Sequence, residues 1–416
     1  MIYIYMLPAY IAVNLYFFTE VYKLINSVAE VAQSAHRKRL IKTVKIIFTV
    51  CYSICALSLL LAFAIRDSLA LKSPFFWSLR RILKLIGNYH EGVLIYLMMT
   101  MAIALLLRLF RHIRIRLTGK SPRTPHLRRS LTGLIYFVAI IAVTVCGIIQ
   151  ARHIYTTTYN VHISKETPSV KELKIALVAD LHLGYNIGVP EMERMAAIIN
   201  NAHPDIVLIA GDIFDNEFIA LDNPEKLKDI LSSLDSRYGT YACYGNHDIE
   251  EPILGGFTFK SEKEKESSSE MDDLLKKAGI TLLKDEYLLI DDSFYLYGRP
   301  DFERPNKGIT VRRTPDEIVR LMDTSKPIIV IDHEPRELSE LAEAGVDLDL
   351  CGHTHDGQIF PLNLTSRYFT WENSAGLLEK GNMTNIVTSG VGLFGPNMRI
   401  GTKAEVCIIN VDFSED

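Results

Sequence analysis

Residues 174–182 read Lys-Ile-Ala-Leu-Val-Ala-Asp-Leu-His, and this stretch decides the fold. Its apolar run is too short for a typical helix and stops abruptly in polar residues, which predicts a buried strand of an α/β sheet. Because side chains alternate along a strand, we expect Asp180 and His182 to leave its carboxyl end on the same side. A carboxylate and an imidazole presented together suit a divalent metal, although the triplet alone also fits an Asp that caps a turn beside a solvated His.

The same arrangement recurs four times downstream, each time where an apolar run ends. The four polar clusters are Gly211-Asp212-Ile213-Phe214-Asp215, Gly245-Asn246-His247-Asp248, Asp332-His333-Glu334-Pro335 and Gly352-His353-Thr354-His355. Ligands bind at the carboxyl ends of the strands in open α/β sheets, so we expect the five clusters to meet in one crevice. The glycines allow sharp turns there and a close approach of the backbone to a ligand.

This ordered series resembles the signature of the calcineurin-like metallophosphoesterases. The resemblance covers roughly residues 159–416, and the tail, residues 387–392 and 396–401, is similar to the branch whose catalytic domain follows membrane segments. That branch usually has a glycine where this chain has Asp356, a departure outside the metal ligands that bears on substrate choice. The implied fold is α/β, a four-layer αββα sandwich, which agrees with the alternation of helical and strand patterns followed by a strand-rich end.

The resemblance also implies two divalent metal ions and assigns their ligands. One ion would be held by Asp180, His182 and His355, the other by Asn246, His333 and His353, with Asp212 as the bridge. A shared carboxylate and a bridging hydroxide would offset the repulsion between two cations about 3.5–4 Å apart. We expect His353 and His355 to approach the pair from two sides, because residues i and i+2 of an extended segment lie roughly 6.5–7 Å apart. The mixed nitrogen and oxygen ligands suit Mn, Fe or Zn without choosing among them.

The leaving alkoxide needs a proton. His247 resembles the family's candidate general acid, and Asp215 is placed like the carboxylate that orients it. Asp248 is more typical of a structural cap, and Gly357 and Gln358 are expected to shape the floor of the site. Two ions would lower the pKa of the water between them, which provides a nucleophile without a basic side chain.

The first 153 residues differ from the rest of this 416-residue chain, because its hydrophobic residues are concentrated there. The uncharged runs 46–65 and 131–150 would each be about 30 Å long as helices, enough to cross the hydrocarbon core of a bilayer. Runs 2–18 and 92–107 are near the lower limit for a span, and core helices of a soluble protein are their alternative. We predict an all-α transmembrane region of about four helices over residues 1–153 and a calcineurin-like metallophosphoesterase domain over residues 154–416.

The basic residues around these runs predict their orientation. The loops after the first and third runs carry 14 Lys and Arg residues, against 7 on the opposite side. Under the positive-inside rule the 14 are cytoplasmic, so four spans place the catalytic domain outside the cytoplasm. Residues 74–86 have an apolar stripe with basic residues elsewhere, which predicts a helix lying in the membrane interface. The alternative, a fifth packed helix, would change the span count and hence the side of the catalytic domain.

Two further features leave alternatives open. The six cysteines do not form a disulfide framework, and Cys351 is better explained as a buried strand residue than as a thiolate ligand. Residues 257–270 have a charged, serine-rich composition that cannot bury a core, so they are expected to form a solvated insertion or a lid over the site.

Two functions from different classes fit the sequence. The first is a multi-pass cell-membrane phosphoesterase that hydrolyses phosphate esters or pyrophosphates by a metal-bridging hydroxide, as a phosphodiesterase on a lipid-linked or envelope substrate. The alternative is a membrane sensor or scaffold that binds a phosphorylated ligand with little turnover. A scaffold is expected to lose ligands, and this sequence retains all seven. We expect membrane lipids and a phosphate-ester substrate as partners and no nucleic acid, with soluble nucleotides and cyclic dinucleotides as a second substrate class.

Overall fold

A computed structural model of the chain describes residues 2–30, 34–65, 71–119, 126–251, 253–254, 257–258, 266–306 and 308–414. The chain divides into two compact units. The helical unit comprises Met1–Ala64 and Ile82–Cys146, and the α/β unit comprises Ile65–Arg81 and Gly147–Asp416.

Four long helices come first among the described residues: α1 (Ile2–Glu30), α2 (Ala35–Ala64), α3 (Pro74–Thr118) and α4 (His126–Ala151). By length and composition α2 and α3 can cross a membrane, and α4 contributes a shorter apolar stretch, Ile135–Ala151. Large apolar side chains such as Ile47, Leu106 and Phe110 point away from the helical unit and are exposed. Two candidate spans are therefore described, and the count of four stays a prediction.

The separate interfacial helix expected over residues 74–86 is wrong, and so is its alternative as a fifth helix, because this stretch is the beginning of α3. A glycine in a helix interior costs only about 1 kcal/mol relative to alanine, so Gly87 does not end the helix. A Cβ atom at Gly87 would lie 2.3 Å from Cγ of Leu59, so the glycine permits close helix packing. Arg80, expected at a membrane surface, is buried in the α/β unit, where its guanidinium donates to both carboxylate oxygens of Glu217 at 2.8 and 2.9 Å.

Two six-stranded sheets form the centre of the α/β unit. The first has the order β1 (Ile154–Ile163), β14 (Ala404–Phe413), β2 (Glu172–Val178), β3 (Ile206–Ala210), β4 (Thr240–Cys243) and β7 (Ile280–Leu282). The second has the order β12 (Gly376–Lys380), β13 (Met383–Val387), β11 (Leu348–Cys351), β10 (Ile328–Ile331), β9 (Phe294–Gly298) and β8 (Glu286–Ile290). Strands β2, β3 and β4 run parallel, as do β9, β10, β11 and β13, so several carboxyl ends meet at one edge of each sheet.

Three apolar cores separate four layers. The core between the sheets takes side chains from both, such as Leu208 of β3 and Ile329 of β10. A second core packs helices α5 (Val189–Ala202), α6 (Pro224–Ser232) and α7 (Ser269–Lys277) against the first sheet, and a third packs α8 (Pro315–Val319) and α9 (Leu338–Ala344) against the second. The predicted αββα sandwich is confirmed. Its last short helix, α10 (Leu362–Thr365), follows a turn of 3-10 helix at His355–Gly357.

Two residues join α4 to the first sheet, because α4 ends at Ala151 and β1 begins at Ile154. Strand β1 pairs in parallel with β14 along its whole length. Half of the expected insertion at residues 257–270 lies outside the described residues. Its described part includes the short strand β6 (Phe257–Thr258), which pairs with β5 (Ile253–Leu254). Cys351 is a free, buried thiol 3.3 Å from Oδ2 of Asp349, and it belongs to none of the candidate metal groups in the described residues.

Candidate metal centre

The seven predicted ligands each follow the end of a strand. Asp180 and His182 come after β2, Asp212 after β3, Asn246 after β4, His333 after β10, and His353 and His355 after β11. The two sheets face each other, so these ends converge. Asp180, His182 and His355 form one group of donor atoms, and Asp212, His333 and His353 form another, with Asn246 in contact with His333 and His353.

The backbone at the ligands is not extended. Asp180, His182, Asp212, His353 and His355 all have positive φ angles, between 47° and 69°. Asp180 and His182 do meet in one group, as expected, but strand alternation is not what aligns their side chains. Strand β2 ends at Val178, and the segment after β11 turns into the 3-10 helix. Non-glycine residues rarely adopt this left-handed conformation, and such strain concentrates at functional sites because the surrounding structure must hold it.

The first group contains Asp180, His182 and His355, all of them buried. Nε2 of His182 lies 3.0 Å from Nε2 of His355, and Nε2 of His355 lies 3.7 Å from Oδ1 of Asp180. The two imidazole rings are stacked with centroids 5.0 Å apart, so their nitrogen atoms point at one space. Two imidazole nitrogens and a carboxylate that converge in this way form a donor set for a divalent cation.

The second group contains Asp212, His333 and His353, and Asn246 completes it. Nε2 of His333 lies 3.1 Å from Oδ2 of Asp212 and 3.1 Å from Nδ1 of His353. Oδ1 of Asn246 lies 2.9 Å from Nδ1 of His353 and 3.1 Å from Nε2 of His333. This group has the same mixture of nitrogen and oxygen donors as the first.

Asp212 connects the two groups. Its Oδ2 atom is 3.7 Å from Nε2 of His182 in the first group and 3.1 Å from Nε2 of His333 in the second. Its Oδ1 atom accepts a hydrogen bond from the backbone N–H of His247 at 2.7 Å, which fixes the orientation of the carboxylate. One carboxylate between two donor clusters is the geometry that a pair of adjacent cations requires.

Glycines allow this crowding. A Cβ atom at Gly245 would lie 2.3 Å from Oδ1 of Asp212. At Gly390, where φ is +76°, a Cβ atom would lie 2.7 Å from Cβ of Asp180. The glycine of the tail motif is therefore a wall of the metal centre, supplied by the loop after β13.

A layer of hydrogen bonds holds the ligands in place. Nδ1 of His333 lies 2.9 Å from the carbonyl oxygen of Ala210, which presents Nε2 to the site. The backbone N–H of His353 donates to both carboxylate oxygens of Asp180 at 3.0 Å. Arg399, in the tail motif, is fully buried and donates to the carbonyl oxygens of Ser389, Gly390 and Gly392 at 2.8–3.1 Å. Arg399 thus fixes the loop that contacts Asp180.

Burial and neighbouring charges shift the pKa values of several residues at the site. Burial lowers the pKa of His353 and His355 well below the ordinary value, which keeps both imidazoles neutral. Burial opposes ionisation of Asp212, but the charges of His333, His247 and His182 and a hydrogen bond from His333 together outweigh it and hold the pKa of this carboxyl well below its usual range. Burial raises the pKa of Asp180 to about 6. A cation would offset the cost of burying these carboxylates.

His247 lies beside the first group, with its ring centroid 5.1 Å from that of His182. Its Nδ1 atom is hydrogen-bonded to Oδ1 of Asn216, a partner that sequence reasoning missed. Asp215, the predicted orienting carboxylate, lies 3.8 Å from Nδ1 of His182, so its role toward His247 stays a prediction. Asp248 acts as the expected cap, since its carboxylate accepts from the backbone N–H groups of Phe214 at 2.8 Å and Gly245 at 2.7 Å.

Three side chains at the rim were also missed. Trp371 meets His353 edge to face with ring centroids 5.1 Å apart, and the guanidinium of Arg336 lies 5.1 Å from the Trp371 ring. Phe394 lies against the rings of His182, His247 and His355. The one available signal was Arg336, three residues after His333, because an arginine near the ligands can contact a phosphate. The aromatic residues are distant in sequence and carried no signal.

Asp356 and Gln358 directly follow the predicted ligand His355 in the chain. Gln358 donates through Nε2 to the carbonyl oxygens of Phe394 and Pro396 at 2.8 and 2.9 Å, so it does shape the floor of the site. Asp356, where the resembled branch usually has glycine, is buried, and Oδ1 accepts from Nε of Arg367 at 2.7 Å. The departure at position 356 therefore anchors the segment that carries Arg367.

A buried His, Asp and Asn cluster at the strand ends of two facing sheets defines a metal-dependent phosphoesterase. The family model of the calcineurin-like phosphoesterases matches residues 173–357, which contain all seven predicted ligands. The chain is also 30% identical over 306 residues to an uncharacterised metallophosphoesterase of Campylobacter jejuni, a match covering 71% of this chain and 74% of that protein. The protein belongs to the calcineurin-like phosphoesterase family.

Two further relatives are similar to different extents. A transmembrane protein with a metallophosphoesterase domain from Bos taurus is 29% identical over 290 residues, covering 65% of this chain and 60% of that protein. The phosphodiesterase YaeI of Escherichia coli is 28% identical over 250 residues, covering 57% of this chain and 82% of that protein. Together with the apolar helices α2 and α3, the family identifies a metal-dependent hydrolase of the membrane whose donor set suits two divalent ions.

Proposed function

We propose that this protein is a membrane-anchored phosphoesterase that uses both metal positions together to hydrolyse phosphate diesters or pyrophosphates at the membrane. The observation that carries the proposal is the position of Asp212, whose Oδ2 atom faces His182 of one group and His333 of the other. When bound, a pair of divalent ions would supply an activated water and neutralise phosphate charge. The protein supplies the rest of the chemistry.

His247 donates a proton to the leaving oxygen in this proposal. Its Nδ1 atom is committed to Asn216, so Nε2 is the nitrogen available to the substrate. Burial lowers the pKa of His247 to about 3, which opposes the protonated form, and the Asp212 carboxylate acts in the opposite direction. An anionic phosphate facing the ring would act in the same direction as Asp212 and raise the pKa of His247. Protonation of His247 would therefore be coupled to substrate binding.

Arg336 and the aromatic rim bind and enclose the phosphate. The guanidinium of Arg336 lies between the rings of Phe302 and Trp371, 4.9 and 5.1 Å from their centroids, which restricts its position at the edge of the centre. Its Nε donates to the carboxylate of Glu334, so the remaining N–H groups of Arg336 are the ones that can donate to phosphate oxygens. Phe394, packed against three of the histidines, excludes water from the region where the leaving group is protonated.

A lipid-linked or envelope substrate is supported by the joint between α4 and β1. Helix α4 ends at Ala151 and β1 begins at Ile154, so two residues separate the apolar helix from the first sheet. A link this short would keep the metal centre near the headgroups if α4 spans the bilayer, where lipid phosphates are present at high effective concentration. Four spans with the positive-inside bias would place this centre outside the cytoplasm.

The test uses full-length protein in lipid nanodiscs, because a fragment starting at residue 154 would lack Arg80 and its ion pair with Glu217. Phosphomonoesters, soluble diesters, cyclic dinucleotides and lipid pyrophosphates are supplied with Mn²⁺, Fe²⁺ or Zn²⁺ in turn. We expect turnover of a diester or a lipid pyrophosphate. Phosphate binding without turnover on every substrate and metal would instead support the scaffold alternative, and a strong preference for cyclic dinucleotides would contradict the lipid-linked substrate.

The proposed orientation has its own test. A reporter that functions only outside the cytoplasm, fused after Asp416, should be active, and a reporter that functions only in the cytoplasm should be silent. The opposite pattern would show that the number of spans is odd, or that the positive-inside bias does not set the topology of this chain.

A further inference from the structure

Residues 360–371 form a segment with its apolar side chains outward. Tyr368 and Phe369 are 73% and 85% exposed, and Phe360, Leu362 and Leu364 are exposed as well. The segment contains α10 and the single π-helical turn Ser366–Thr370. Scattered exposed apolar residues are ordinary on a protein surface, but five within ten residues form a patch that a soluble domain normally covers.

The patch is built on a firm base. Oγ of Ser366 lies 2.6 Å from Oγ of Ser374, and both serines are buried. Asn363 is buried as well, and its backbone packs so closely on Gly357 that a Cβ atom at Gly357 would lie 2.5 Å from Cα of Asn363. Two polar side chains of the segment, Asn363 and Ser366, therefore face the protein, while five large apolar side chains face outward beside Thr365, Arg367 and Thr370.

The segment is tied directly to the metal centre. Arg367 pairs with Asp356, the residue after His355, and Trp371 at the end of the segment packs on His353. Any surface that the patch binds is thereby held beside the second group of ligands.

The segment also lies beside the last turn of α4, within the α/β unit. The backbone N–H of Phe360 donates to the carbonyl oxygen of Ile400 at 2.8 Å, and the backbone N–H of Arg399 donates to the carbonyl oxygen of Gly147 at 3.0 Å. A Cβ atom at Gly147 would lie 2.7 Å from Cγ1 of Ile400. The patch therefore contacts residues 399–400, and these contact Gly147 in the last turn of α4. This places the patch next to the end of an apolar helix.

We propose that the exposed patch Phe360, Leu362, Leu364, Tyr368 and Phe369 inserts into the interface of a phospholipid bilayer. Aromatic and leucine side chains over a charged anchor such as Arg367 suit the boundary between headgroups and acyl chains. Continuity with the end of an apolar helix favours a bilayer over another protein as the partner. The consequence for catalysis rests on the proposed function: the patch holds a lipid phosphate against the metal centre while its acyl chains stay in the membrane.

Insertion can be measured without any assay of activity. The chain has two tryptophans, Trp77 and Trp371, and both are replaced by Phe. A single reporter is then introduced by Phe369→Trp, or by Val311→Trp as the control, since Val311 is equally exposed at 81% but lies outside the segment. The full-length proteins are placed in phosphatidylcholine and phosphatidylglycerol nanodiscs, with and without brominated acyl chains, which quench tryptophan on contact.

We expect the Phe369→Trp protein to emit at shorter wavelength and to lose most of its emission in brominated discs, with the Val311→Trp protein unchanged. Equal quenching of both proteins, or of neither, would overturn the proposal. A blue shift without bromine quenching would mean that a second copy of the chain covers the patch, which also overturns it.

The catalytic consequence is tested separately with Tyr368→Ser/Phe369→Ser and the control Val311→Ser, again as full-length proteins in nanodiscs. The double variant should hydrolyse a lipid-presented phosphate more slowly, while hydrolysis of the soluble bis(p-nitrophenyl) phosphate stays at the rate of the control. Equal rates on the lipid would overturn the role of the patch in delivery. If the unmodified protein cleaves only the soluble diester, the lipid substrate of the proposed function fails, and the quenching result still decides whether the patch inserts.

Discussion

The α/β unit buries charge, whereas the helical unit exposes hydrocarbon. Asp180, Asp212 and His333 have at most 2% of their surface accessible. In the helical unit, Leu106 and Phe110 are more than half exposed. Both arrangements reverse the usual distribution of residues in a soluble protein, in which charges face water and large apolar side chains face the core.

Burying charge and exposing hydrocarbon both cost free energy in water, and each arrangement indicates which partner offsets that cost. Buried carboxylates that face imidazole nitrogens are stabilised by cations, and apolar side chains on the outside of helices are stabilised by lipid. The segment of residues 360–371 shows the second pattern within the α/β unit, close to the first. The environment of each unit can therefore be inferred from which kind of side chain it places against the usual rule, buried charge or exposed hydrocarbon.

Asp212→Asn should have the largest effect on the buried-charge side of the comparison. The amide cannot serve both donor groups, so activity should fall by more than the about 10²–10³-fold that loss of one preorganised group costs. Asp180→Asn should cost less because Asp180 belongs to one group, and the exposed Asp229→Asn should be neutral. Metal content and kcat/KM are measured for each variant. A larger loss for Asp180→Asn, or full activity after chelation, would contradict a shared centre.

His247→Ala separates binding of metal from transfer of a proton. We expect both metals to be retained and alkyl esters to be cleaved about 10²–10⁴-fold more slowly, because the leaving alkoxide is no longer protonated. Nitrophenyl esters need little protonation and should be affected far less. The exposed His162→Ala is the control. Equal losses on both ester types would mean that His247 only positions the phosphate.

The ligand-type residues could be predicted from the sequence because each of them directly follows a recognisable strand. Strand ends followed by Asp, Asn and His could be read directly, because apolar runs predict strands and ligands bind at their carboxyl ends. The side-chain directions could not be read. They depend on left-handed backbone at Asp180 and His353, which tertiary contacts with Gly390 and Asn246 enforce.

Partners distant in sequence were also invisible. Asn216 contacts His247 and Trp371 contacts His353, yet neither belongs to a motif. The basic side chains within the stretch 74–86 suggested a helix at a membrane surface. The guanidinium of Arg80 is instead paired with Glu217, which lies 137 positions later in the chain. A local pattern reports the polarity of a segment but does not identify the group that neutralises its charge.

Met98→Arg tests the exposed-hydrocarbon side of the comparison, because Met98 is exposed and lies near the middle of the apolar run 92–107. A charged residue at the centre of a bilayer costs about 2.5–3.5 kcal/mol on insertion scales, so the variant should accumulate less in the membrane fraction. Val311→Arg, a change at an exposed apolar position of the α/β unit, should leave membrane yield unchanged. The measurement is the amount of full-length protein in purified membranes. Equal yields for the two variants would argue that the outside of α3 does not face lipid.

Gly245→Ala should have the smallest effect, and it tests how closely the buried charges are packed. The added Cβ atom would lie 2.3 Å from Oδ1 of Asp212 and 2.6 Å from its backbone nitrogen, so the carboxylate or the loop must move. Overpacking of this kind costs about 1–3 kcal/mol.

The matched control is Gly279→Ala, where φ is +76° but no heavy atom lies within 4 Å, so backbone strain is present without a contact to the metal centre. Both variants should unfold at lower temperature in nanodiscs, but only Gly245→Ala should bind metal more weakly, because only there does the change displace Asp212. Metal affinity is measured by competition with a chelator. Unchanged metal affinity in the Gly245→Ala protein would show that the Asp212 carboxylate has room to move, and that the centre is held by its ligands more than by the packing around them.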